Sequence, residues 1–351
     1  MSDAQLQGDR IMNVFEPVAR YQTDDHVIAL AWAQDSSRSA ALSVAGTLTL
    51  SSLTEGTNYL SVPAQPAGGL ALSWGELGIL TGGQGGSVSS WLDGRDGSLT
   101  KQFEVDPGGD WAEHVIWSTD GARFVTAAGK KLRVWSATGK LIQDYYEQPG
   151  SIAAVCLRPD NEGVGIGIYG GVRLYRFSEL DPYEDLKWKG SIIDVRWSPN
   201  RRFIAASSQE RTINFWRLPF RPGQQLAMSG YPSKVRELAW DEDSRYLATG
   251  GCELITIWDV SGKGPAGTRP IQLKFHQERL TALQFQPGGA RLASGSKDGK
   301  LAIWKSVKAT QPEFAAELDS PISTLCWSPC GRHIVVGTSG GGVTHFTGST
   351  G

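Results

Sequence analysis

One pattern recurs along this chain about every 42 residues, and it limits the possible folds more than any other feature. Its clearest copy, "LTALQFQPGGARLASGSKDGKLAIW", has an alternating apolar run ending on Phe285, a Pro/Gly turn and a second apolar run. A tight Lys-Asp-Gly turn and a third run ending on Trp304 complete it. The first run ends at Trp32, Trp74, Trp117, Leu157, Trp197, Trp240, Phe285 and Trp327, at spacings of 40 to 45 residues. The third run ends 17 to 19 residues later, at Trp91, Trp135, Tyr175, Trp216, Trp258, Trp304 and Phe346. In the first copy only Leu50 or Ser51 stands there. Weaker fourth β-like pieces such as "LTKQFEV" and "EFAAEL" separate the copies, and "EPVARYQ" precedes the first. Four short strands cannot bury two faces alone, so each unit must stack on its neighbours.

Eleven of the 13 tryptophans fall in these two phases, which assigns them to packing rather than chemistry. Glycine at 43 residues and methionine at only 3 suit an all-β chain of many turns. The last copy lacks a fourth strand while the N-terminus offers a spare one. Pairing the two closes the ring and hides an edge that would otherwise template aggregation. The expectation is a single β-propeller of four-stranded blades spanning residues 14–346, with eight blades, or seven if the first copy is discounted. Residues 1–13 and 347–351 are expected to be disordered tails, and Ser261–Pro270 a mobile loop.

The repeat resembles the WD40 family of β-propellers, through "LASGSKDGKLAIW" and the Trp258-Asp259 dipeptide. The resemblance implies a structural hydrogen-bond relay, for which the seventh copy alone supplies all four residues: His276, Ser294, Asp298 and Trp304. Glu210, Gly85 and Gly340 replace the Asp in the fifth, second and eighth copies.

No nucleophile elbow, Walker loop, H-E-x-x-H or dinucleotide fingerprint is present. "GGQGG" at 82–86 lies between two strands and reads as a tight turn, because a phosphate cradle needs a following helix. Cys326, Cys330 and His333 could give three ligands to a metal, which makes a metal-handling or redox role the alternative function, although the spacing fits no zinc knuckle. A net charge of -2 argues against nucleic acid and anionic membrane as partners. No leader or apolar span is evident, and with four cysteines the chain reads as a cytoplasmic protein.

The expected function is therefore non-catalytic and without cofactor: a scaffold or adaptor that binds a protein or peptide through its loop face. That face carries the loops entering first strands and the turns between second and third strands. Its candidates are Trp111, Glu113, His114, Gln209, Arg211, Lys234, Arg236, Arg279 and Lys297, since exposed aromatics and arginines tend to anchor interfaces.

Overall fold

The computed structural model describes residues 15–53, 59–94, 98–261 and 264–348. They form antiparallel strands arranged as a single β-propeller, with short strands separated at the expected turns except within Gly163–Arg176 and Glu184–Trp197, which run on as strands of 14 residues. The expected tail at 1–13 and residues 349–351 of the tail expected at 347–351 lie outside these residues, as do two residues of the Ser261–Pro270 insert.

Sandwiching between neighbours explains the burial of each strand. Second strands are buried along their whole length, as in Gly78–Gly83 and Phe203–Ser208, whereas fourth strands such as Tyr59–Pro63 alternate at the rim. Full burial on both faces is why second strands read as runs of small residues instead of alternating. Some of these residues must be glycine. A Cβ on Gly295 would sit 2.5 Å from Ile322 Cγ2, and one on Gly337 would sit 2.6 Å from Val27 Cγ1. Each seats the β-branched residue that opens the next unit's first strand, so the repeat carries a knob and a matching hole.

Closure occurs as the pairing argument expects. Phe15–Gln22 runs antiparallel to Gly342–Gly348, from Phe15 opposite Gly348 to Gln22 opposite Gly342. Phe15 is only 2% exposed and packs its ring 5.7 Å from both Trp327 and Phe314. The boundary expected at 346 is thereby corrected: Thr347 and Gly348 belong to the closing strand, because Glu16 and Phe15 pair with them.

The expected count of eight separate blades is also corrected. Among the described residues there are seven hydrogen-bonded sheets, six of four strands and one of six, which agrees with the alternative of seven. The six-stranded sheet covers the fourth and fifth repeat copies. Its strand Glu184–Trp197 continues through Gly190, at φ +119°, and pairs with Gly163–Arg176 on one side and Phe203–Ser208 on the other. A Tyr169–Ser191 pair joins the two copies into one ladder.

The first copy's missing third-strand aromatic has a structural substitute. His345, 1% exposed on the closing strand, reaches across the seam and places Nε2 2.7 Å from Ser39 Oγ and 3.3 Å from Ser51 Oγ. Trp32 meets its ring edge-on at 5.7 Å.

Candidate interaction face

The relay of the seventh unit is assembled. His276 Nε2 lies 2.8 Å from Ser294 Oγ, and Trp304 Nε1 donates to the same oxygen at 3.2 Å. Asp298 holds its own turn, accepting from the Gln277 and Lys300 amides, with its nearer carboxylate oxygen 3.6 Å from His276 Nδ1. Burial lowers the His276 pKa despite the attraction of Asp298. Two further units build the same contact from other residues, which the sequence reading missed. Gln65 Nε2 and Trp91 Nε1 both donate to Thr81 Oγ1, at 3.2 and 3.0 Å. Tyr231 Oη lies 2.8 Å from Thr249 Oγ1 and accepts from Trp258 Nε1 at 2.8 Å.

The loops entering first strands and the second-to-third turns form one hydrogen-bonded belt. Gly69 donates to Val44, Ala112 to Gly83, Ile152 to Gly129, Gln209 to Ser191 and Lys297 to Arg279, all through the backbone at 2.8 to 3.0 Å. This belt is rigid because each loop is tied to a turn beside it, and a rigid surface loses little entropy when a partner binds.

On one arc Trp111 is 51% exposed. The sequence reading missed two further exposed aromatics, Tyr146 at 64% and Tyr169 at 70% exposure. Tyr169 was detectable, since it occupies a tight turn before Gly170-Gly171 where small polar residues are the rule. Trp188, outside the repeat phases, packs against the core around Trp197 and Trp216 instead. Glu113 is partly committed, accepting from the Gly129 amide at 3.1 Å. His114 is not an open surface contact. It starts the inner strand His114–Trp117, and burial pushes its imidazole down to about 4, against the Ile152 backbone and with Arg196 adding to the fall.

On the other arc five cations are linked through the backbone. Arg211, at φ +59°, donates to the Pro232 carbonyl at 3.3 Å, and Arg279 donates to the Lys234 carbonyl at 3.0 Å. The loop bearing Lys234 and Arg236 is thus held from both sides, and Lys297 is tied to Arg279 through its amide. Gln209 and Arg211, Lys234, Arg236 and Lys297 are all exposed.

The candidate metal triad does not come together. Cys326 is pushed up to about 12 by burial and directs its thiol to the Trp327 carbonyl, while His333 Nδ1 lies 2.9 Å from Thr347 Oγ1. Among the described residues no group of three His, Cys, Asp or Glu is placed to hold a metal.

Comparison with known proteins agrees with this architecture. The WD domain, G-beta repeat model matches residues 185–217, 223–259 and 267–305. "Protein hir1" of Schizosaccharomyces pombe is 25% identical over 174 residues, 41% of this chain and 18% of the relative. "Protein HIR1" of Chaetomium globosum is 24% identical over 284 residues, 70% of this chain and 22% of the relative. "Cell division cycle 20.1, cofactor of APC complex" of Arabidopsis thaliana is 26% identical over 161 residues, 44% of this chain and 34% of the relative. The chain thus spans about a fifth to a third of the length of these relatives. The crystal structure of the computationally designed protein Ika8 superposes with a TM-score of 0.80 at 18% identity, covering 94% of this chain and 99% of that one. The matched units show that residues 185–305 of this chain carry WD40 repeats.

Proposed function

We propose that this propeller is a non-catalytic platform that binds a protein or peptide through its loop face. The observation carrying this reading is the rigid belt of loops that presents Trp111, Tyr146 and Tyr169 to solvent on one arc and five cations on the other. Exposed aromatics and arginines on a pre-ordered surface are what interface anchors require. That one relative is named a cofactor of the APC complex supports a role among protein assemblies. Four unpaired thiols support work in a reducing compartment such as the cytoplasm.

The test is affinity capture from native lysate with wild type and with a Trp111→Ala, Arg236→Glu variant. A partner held by the first and released by the second supports the loop face. A partner held equally by both overturns it.

We further infer that the seven sheets contain eight repeat units, the six-stranded sheet counting twice. In support, Phe177 N donates to the Glu162 carbonyl at 3.1 Å and Gly163 lies against the Tyr175 carbonyl, so Gly163–Arg176 folds back on itself as two strands. Averaged electron-microscope views down the ring axis should show eight lobes. Seven lobes would refute the count.

A further inference from the structure

Among the described residues, ten of the 19 arginines have a carboxylate within ion-pair distance. Arg245 pairs with Asp259 at 3.1 Å, Arg201 with Asp160 at 2.8 Å and Arg133 with Asp144 at 3.0 Å. The arc over the fifth, sixth and seventh units gathers five cations that have none. Among the described residues, none of Arg211, Lys234, Arg236, Arg279 and Lys297 lies within ion-pair distance of an acidic group.

Acidic residues are present nearby, but two are engaged elsewhere and a third is buried. Asp298 accepts from the Gln277 and Lys300 amides. Glu237 is buried at 7% exposure and accepts from the Arg236 amide at 3.3 Å; burial raises its pKa, and the charge of Arg279 only partly offsets that rise. Glu210 folds its carboxylate over Gly190, toward the preceding unit. Glu253 and Glu278 are exposed and pair with none of the five cations. The two guanidinium groups are also held in place before any ligand arrives. Arg211 and Arg279 each donate to a carbonyl of the Pro232–Lys234 loop, which leaves the remaining N–H groups of each fork for an outside acceptor. A fixed fork loses less rotamer entropy on binding a carboxylate than a free side chain does.

We propose that this arc is the docking site for an acidic peptide segment, rich in Asp or Glu, of a partner protein, an assignment that rests on reading the loop face as the interaction surface. The occupant follows from charge complementarity. A row of unpaired, partly pre-ordered cations across three units is matched by several carboxylates along one extended strand. The whole-chain charge of -2 argues against a longer polyanion, because repulsion from the rest of the surface grows with the length of the ligand.

The test uses the purified full chain and a fluorescein-labelled oligoglutamate peptide, with fluorescence anisotropy as the readout at low and at high salt. The expected result is binding that weakens with salt and falls at least about tenfold in Lys234→Glu, Lys297→Glu, with the milder Lys234→Gln, Lys297→Gln falling between. Trp111→Ala should keep the affinity of wild type for this peptide. No binding by wild type, or equal binding by the glutamate variant, overturns the proposal. So does a preference for single-stranded RNA, or for a phosphoserine peptide that binds where oligoglutamate does not. If the peptide fails while partner capture still depends on Trp111 and Arg236, the acidic segment is wrong and the interaction face stands.

Discussion

His345 should make the closure of this ring sensitive to acid, by an amount that follows from its burial. The imidazole is 1% exposed at the seam between the last and first units, with Ser39 and Ser51 at Nε2 and Trp32 against its edge. Burial lowers its pKa from 6.5 to about 4, with His333 adding to the fall. The sign follows from proton counting. Between these values the unfolded chain takes up a proton that the native seam refuses, so stability is intact above pH 6.5 and is lost as pH falls toward 4. Lowering the pH from about 7.5 to about 4.5 should remove about 2.5 kcal/mol through this residue alone. The assay is urea unfolding followed by tryptophan fluorescence at both pH values, for wild type and His345→Gln. The variant keeps an amide for the serine hydroxyls but cannot titrate. His114 is shifted in the same direction and remains in both proteins, so its contribution cancels in the comparison. The acid loss should be smaller in the variant by about 2 kcal/mol or more. An equal loss in both proteins would refute the reasoning, because the seam would then be accepting the proton without cost.

Three other outcomes are expected. Gly337→Ala drives a methyl group into Val27 at 2.6 Å across the same seam and should cost about 1–3 kcal/mol in urea unfolding, while Gly150→Ala, whose added carbon meets nothing nearer than 3.8 Å, meets no such clash. Ser294→Ala leaves both His276 Nε2 and Trp304 Nε1 without their shared partner and should cost about 1–3 kcal/mol in the same assay, whereas Ser294→Thr keeps the oxygen. At Cys330 slight burial raises the thiol pKa, but hydrogen bonds from Ser328, Ser36 and Arg332 outweigh it and bring the value down to about 6. Iodoacetamide should therefore label Cys330 at neutral pH with a rate that falls through pH 6, while buried Cys156, pushed up to about 12, reacts only on unfolding and half-buried Cys326, also pushed up to about 12, reacts far more slowly than Cys330.

The repeat was legible in the sequence because aromatic anchors recur at a fixed spacing, and that spacing gives the strands, the turns and the closing pair. It could not give the sheet count. Continuity between the fourth and fifth units depends on Gly190 at φ +119° and on the Tyr169–Ser191 pair, and neither breaks the periodic pattern. The loop-face candidates were legible as a set, because turn position and residue type suffice to find them. Their grouping was not. The link from Arg211 through the Pro232–Lys234 loop to Arg279 joins three units by contacts that span 21 and 45 residues of chain. His114 was misplaced for a related reason: its position at the start of an inner strand decides its exposure, and residue type does not.

The relay shows why matching motifs alone undercounts what a fold conserves physically. Only the seventh unit carries the complete residue set, yet a buried tryptophan N–H at the same level needs an acceptor whatever the sequence offers. The second unit satisfies it through Thr81 with Gln65 in the histidine's place, and the sixth through Tyr231, whose hydroxyl accepts from Trp258 and meets Thr249. At the seam the exchange runs the other way: the first unit lost its aromatic and presents Ser39 and Ser51, and a histidine from the neighbouring unit fills the space. What recurs is a buried hydroxyl with a ring donor or acceptor against it, and residue identity varies around that requirement. The second and sixth units, degenerate in sequence, accordingly satisfy this position as the complete one does, whereas the fifth leaves Ser207 Oγ and both side-chain polar atoms of Asn214 without a partner among the described residues. Thr81→Val should therefore destabilise about as much as Ser294→Ala, since each removes the hydroxyl on which two side chains converge. If Thr81→Val proves neutral in the same urea assay, the stand-in relay of the second unit contributes nothing and the motif, not the hydroxyl, is what matters.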